Sequence, residues 1–224
     1  MVMIRNGNRS FMTVGFREAL GKTLIELRTM RKHRLAVRKA RKYRGQTGLK
    51  LNLGCGRNGK AGWINIDLTN KADLTLDLRE PLPFDDDSCS MVYSEHFLEH
   101  LDYPEKVLFL LRECFRVLYA GGRISIGVPD TEWPLNEYSG QWQDGYFSKA
   151  KELWHPKWCE TKVEHVNYHF RQGDEHRFAY DCETLCHVLK KAGFVDTRRR
   201  TFELELDSPE RELGTLYVSA VKRA

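Results

Sequence analysis

The 224-residue chain has no apolar run long enough to cross a membrane. Its longest, Val107 to Leu111, is far short of the roughly 18 residues that a helical span needs. No apolar h-region stands near the N-terminus, so a secretory signal is not expected. None of the six cysteines falls in a C-x-x-C pair or a regular spacing. They read as reduced thiols in an intracellular, cytoplasmic protein. His155, Cys159, His165 and His169 fit no standard structural zinc spacing, so no metal centre is expected there. Gly54-x-Gly56-x-x-Gly59 matches the dinucleotide fingerprint, but its partner acid is misplaced. Asp67 follows Gly56 too closely for a full helix to intervene, which argues against an NAD-type crossover.

Charge is unevenly spread. Of the 36 Lys and Arg, 13 lie in residues 1–44, against two acids, Glu18 and Glu26. The remaining body is therefore mildly acidic. Within the arm, Phe16, Leu20, Leu24 and Leu27 recur at helical spacing and predict a helix of 15 residues or more. Such a helix can pack on the domain or on a second copy. It can also meet an anionic membrane surface or a nucleic acid. Residues 1–44 are read as a basic helical extension and 45–224 as the main domain.

From Gly48 onward strands and helices alternate, which predicts a parallel sheet covered on both faces. Strands are expected at 49–53, 63–66, 73–76, 90–94, 123–128, 199–206 and 215–222, the last two antiparallel. A helix is expected from Pro104 to Leu118, burying Val107, Leu108, Leu111, Phe115 and Leu118, with Gly121-Gly122 as its stop. A second helix runs from Thr184 to Ala192. Residues 131–176 break the rhythm and hold four of the five tryptophans. So long an aromatic connection reads either as a lid over a substrate or as a small satellite core.

The chemistry starts at LNLGCG, residues 51–56. A strand delivers the chain to a bend where glycines let the backbone approach a ligand, and Asp67 at the end of the next strand can accept from ribose hydroxyls. With WINID, DLREPLPF, SEHFLEHL and GGRISIGVPD following in order, residues 48–130 resemble a class I S-adenosylmethionine-dependent methyltransferase of the type 11 kind. YDCETLCHVLKKAGF at 180–194 extends the resemblance. It implies an α/β, Rossmann-like, doubly wound sheet of seven mostly parallel strands with one antiparallel, and S-adenosyl-L-methionine as cofactor. It also implies that Gly54, Cys55 and Gly56 meet the methionine end, Asp67 the ribose, and Asp77 and Leu78 the adenine, with Glu95 beneath the cofactor. Asn52 stands where the family usually has an acid to hold the cofactor's ammonium.

His96-x-x-Glu99-His100 matches a zinc-protease motif literally, but a strand leading into it from a nucleotide-type turn argues against that chemistry. The run is also similar to one that binds a divalent metal in ubiquinone-type and small-RNA O-methyltransferases. Its bland reading is helix surface. A hydroxyl acceptor benefits from a base of near-neutral pKa, and His96 and His176 are the candidates. The expected function is methyl transfer to a hydroxyl or other nucleophile of a ring-bearing acceptor such as a sugar, glycan or lipid precursor. The alternatives are an RNA methyltransferase using the basic arm, or a non-catalytic cofactor-binding module.

Overall fold

The computed structural model describes residues 12–223; residues 1–11 of the expected extension and Ala224 lie outside them. Six strands form one sheet: β1 Leu49–Leu53, β2 Ile64–Ile66, β3 Cys89–Glu95, β4 Leu118–Pro129, β5 Val195–Arg200 and β6 Thr215–Val221. Their order is β2-β1-β3-β4-β6-β5. The pairs β1/β2, β1/β3 and β3/β4 are parallel, and β6 runs antiparallel to both neighbours. Among the described residues no strand forms at 73–76. Leu74 makes a single bridge to Ile66. The Asp73 carboxylate takes the Asn65 backbone N–H at 2.9 Å, so a side chain uses a donor that a longer ladder would need.

The helices are α1 Val14–Ala40, α2 Glu105–Val117, α3 Glu132–Tyr138, α4 Tyr146–Leu153, α5 Lys162–Arg171 and α6 Cys182–Lys191. Helix α2 buries Val107, Leu110, Leu111, Cys114 and Val117. The apolar stripe is thus rotated from the one expected: Leu108 and Phe115 sit half-buried at its margin. The helix ends before Gly121-Gly122, because Leu118 is already extended strand. Gly121, at φ +86°, instead shapes the start of β4 where it pairs with Lys222. Asp181 caps α6 by accepting from Thr184 N at 2.7 Å.

Helix α1 continues through the basic segment. Thr29, Ala36 and Ala40 are buried against the domain. Lys32 and Lys39 donate to the carbonyls of Leu68 and Asp73. The preceding turns meet the domain through the Glu26–Arg79 ion pair, while Phe16, Leu20, Leu24 and Leu27 are all exposed. Among the described residues no helix is long and apolar enough to cross a membrane.

The sheet order places a switch point between β1 and β3, where successive connections leave in opposite directions. In open α/β sheets ligands bind outside the strand C-termini at such a point. Gly54, Asp67, His96 and Asp130 are the residues that directly follow β1, β2, β3 and β4.

Candidate active site

Gly54 and Gly56 both adopt left-handed backbone, φ +66° and +52°. The Gly56 N–H donates to the Asp67 carboxylate at 2.9 Å, and Asp67 also caps Thr69 N at 2.8 Å. The turn after β1 is thereby tied to the end of β2. The Cys55 thiol is pushed up to about 11 by burial, with Asp67 and Asp73 adding to it, so it stays protonated and inert.

Asn52 faces this turn from within the sheet. Its amide donates to the Asn58 carbonyl at 3.0 Å and to Asn65 Oδ1 at 2.9 Å. Asn65 Oδ1 in turn accepts from Lys60 N. Both partners of the Asn52 amide are acceptors, so a carboxylate could not replace it. This accounts for the departure from an acid: the residue organises the 58–65 loop. Asn52→Asp is expected to lose about 1–3 kcal/mol by leaving two acceptors unpaired against a buried charge, measured by urea unfolding.

Asp67, Leu68, Leu76, Asp77, Leu78, Phe97 and Leu101 line a 150 Å³ cavity, so three of the expected cofactor residues share one space. It adjoins a 670 Å³ cleft along α1, the two having Asp77 and Arg79 in common. Asp77 is already engaged. Burial alone would raise its carboxyl, but hydrogen bonds from Arg79 outweigh that and hold it below the ordinary value. Arg79 is shared with Glu26 of α1 at 2.8 Å, and the Asp77 N–H donates to His33 Nδ1 at 3.1 Å. The arm is therefore wired into the wall of the adenine end.

At the other end Phe97 lies on the glycine turn. A Cβ at Gly54 would fall 2.3 Å from the Phe97 ring. The adenosine residues thus fit the expected cofactor, while the approach over Gly54 is covered by an aromatic side chain. Glu95, expected beneath the cofactor, spends its carboxylate elsewhere. It accepts from Ser208 N at 3.2 Å, Ser208 Oγ at 2.6 Å and the Tyr217 hydroxyl at 3.1 Å. Its carboxylate ties Ser208 and Tyr217 of β6 to the end of β3.

His96 and His176 do come together, on one 480 Å³ cavity walled by Tyr146, Trp154, Tyr168 and Arg211. Their hydrogen bonds distinguish them. Thr215 Oγ1 donates its single proton to the Arg211 carbonyl, so it must accept from His96 Nε2, 2.7 Å away. The remaining His96 nitrogen, Nδ1, faces Glu99 Oε1 at 3.7 Å. Burial holds His96 down at about 3, so it is neutral. His176 donates from Nδ1 to the His169 carbonyl at 2.9 Å, which leaves Nε2 as an acceptor. Burial lowers its pKa too, against the opposing hydrogen bond.

Beneath them Glu99 is fully buried, and neither carboxylate oxygen has a hydrogen-bond partner. Burial pushes its pKa up to about 8, so it carries a proton at neutral pH. Atoms of Glu99, His100 and His176 lie within 4.8 Å of one another, a carboxylate and two imidazoles that could hold a divalent ion. Sequence reasoning missed Thr215 and the His169 carbonyl, which fix the tautomers from 119 and seven residues away. No local pattern marks either.

Residues 51–126 match the family described as a methyltransferase domain. The match runs from the glycine turn into β4, and the chain shares its fold with solved S-adenosylmethionine-dependent methyltransferases. An S-adenosylmethionine-dependent methyltransferase from Methanosarcina mazei is similar at 17% identity and TM-score 0.51, over 82% of this chain and 96% of that one. One from Archaeoglobus fulgidus is similar at 18% and 0.48, over 90% and 99%. Phosphoethanolamine N-methyltransferase 2 of Haemonchus contortus, solved with S-adenosyl-L-methionine, is similar at 16% and 0.47, over 80% of this chain; the chain spans 50% of that enzyme's length. No curated protein matches.

Proposed function

We propose that this chain transfers the methyl group of S-adenosylmethionine to a hydroxyl of a ring-bearing acceptor held under the 131–176 insertion. The observation that carries this is that the segment 96–101 contributes to both of two cavities, Phe97, His100 and Leu101 to one and His96 to the other. Asp67, Asp77 and Leu78 line one, and His96 and His176 line the other. When bound, the cofactor supplies a methyl already activated on sulfonium, so the protein's task is to position the nucleophile and accept its proton. His176 Nε2 takes the hydroxyl proton. Burial keeps the adjoining His96 imidazole neutral, and Thr215 fixes its orientation. Tyr146, Trp154 and Tyr168 offer faces suited to a sugar, glycan or other ring. Isothermal titration calorimetry tests the reading: the chain should bind S-adenosylmethionine, and Asp67→Ala should weaken binding at least tenfold. No heat with the unaltered chain would reject the enzyme reading in favour of a non-catalytic module.

The orphaned carboxylate of Glu99 favours a second reading, in which a divalent cation on Glu99, His100 and His176 activates the acceptor hydroxyl. Turnover would then vanish with chelator and return with added metal. Turnover indifferent to chelator keeps His176 as base.

Helix α1 presents exposed Phe16, Leu20, Leu24 and Leu27 beside its Arg and Lys residues. An apolar stripe has no use on a phosphate backbone, so this face suits an anionic membrane surface better than RNA. The chain should co-sediment with anionic vesicles, and Leu20→Glu/Leu24→Glu should not.

A further inference from the structure

The insertion carries a side-chain cluster at the edge of the acceptor cavity, which His155 also lines. We propose that His155, Cys159 and His165 form a zinc site that clips the connection between α4 and α5. His155 follows the end of α4, Cys159 lies in the connecting loop, and His165 is in the first turns of α5. Their ligating atoms all lie within 4.8 Å of one another. The two imidazoles turn the same nitrogen toward a shared point: Nδ1 to Nδ1 is 2.7 Å, with the rings stacked at 5.0 Å. Cys159 and His165 are buried.

One sulfur and two nitrogens make a donor set for a borderline-soft, tetrahedral ion, not for magnesium or calcium. Nitrogens bound to one tetrahedral ion at 2.0–2.1 Å are about 3.3 Å apart, so the histidine pair needs to open by about 0.6 Å. The outer nitrogen is provided for as well. His155 Nε2 lies 3.5 Å from the Tyr146 hydroxyl, the second-sphere contact that fixes a ligand's tautomer. The spacing reads as no standard site because the third donor is delivered by a helix. The Thr161 capping box starts α5 and presents His165 back toward the loop.

There is also a physical need. Among the described residues the insertion's buried cluster is Trp133, Tyr146 and Ala150 with Phe147 against it, while Trp154 and Trp158 are largely exposed. So small a core orders a loop poorly, and a metal clip supplies what burial does not. The fourth tetrahedral position is left to water.

The full chain, purified without chelator, should hold about one zinc per molecule by elemental analysis. Cys159→Ser and His165→Ala should each lose it, and His176→Ala should keep it. Cobalt exchange should give a thiolate-to-cobalt charge-transfer band that Cys159→Ser abolishes. Chelator should lower the thermal midpoint of the unaltered chain and leave that of Cys159→Ser where it is. A chain free of metal and unmoved by added zinc would overturn the proposal. So would zinc retained by Cys159→Ser or lost from His176→Ala. Should Cys159→Ser fail to fold, the cobalt spectrum of the unaltered chain decides, and the absence of a thiolate band overturns the site.

Discussion

Gly54→Ala is expected to lower folding stability by about 2–5 kcal/mol, from two causes that a double-mutant cycle separates. The first is backbone. At φ +66° a residue with a Cβ pays about 1–2 kcal/mol. The second is the Phe97 ring, whose Cγ, Cβ and Cδ2 would lie 2.3, 2.4 and 2.6 Å from the new carbon. A rigid ring packed on backbone cannot yield that far without moving residues 96–101, and overpacking of this kind costs about 1–3 kcal/mol. Phe97→Gly removes the second cause and leaves the first, whereas Phe97→Ala would keep a Cβ 2.4 Å from the new carbon. The double variant should therefore be more stable than the sum of the single losses, by urea unfolding. Strict additivity would mean that the ring does not rest on Gly54. Phe97→Ala alone should also bind S-adenosylmethionine at least as tightly as the unaltered chain, since no ring then has to leave the glycine turn.

That contact shows what the sequence could and could not convey. The glycine turn, Asp67 and the order of β1 to β4 were legible because each rests on neighbours in sequence: a strand, a bend and an acid within a few residues. Phe97 over Gly54 was not, because the glycine's vacancy serves any group brought to it, side chain or ligand. The segment 73–76 alternates apolar residues as a strand should, yet the Asp73 side chain ends the ladder at one bridge. Strand β5 stops at Arg200 rather than running on to residue 206, because Arg200 pairs with Asp207 at 2.6 Å and Glu203 N donates to the same carboxylate. Asn52 was read as a missing charge, when its two donors fit two acceptors that lie six and 13 residues on. In the last three cases a polar side-chain contact several residues away outweighed the local pattern.

Polar contacts also distinguish the two histidines. His176→Ala is expected to lower kcat by about 10²–10⁴, the range that removing a general base produces, with affinity for S-adenosylmethionine unchanged. His96→Ala should cost less. The Nε2 proton of His96 is committed to Thr215, and its other nitrogen faces protonated Glu99, so it has no acceptor free for a substrate hydroxyl. His176 has one, because the His169 carbonyl takes its Nδ1 proton. Burial disfavours the imidazolium of His176, so its pKa lies below the ordinary histidine value. The base form is then full at neutral pH and is lost only as pH falls below that lowered pKa. The pH–rate profile should accordingly be flat through neutrality with an acid limb below about 6.5, and His176→Ala should flatten that limb while His96→Ala keeps it. An unchanged acid limb in His176→Ala would shift the base role elsewhere. The limb separates catalysis from packing: a residue that merely props the insertion would lower the rate at every pH alike.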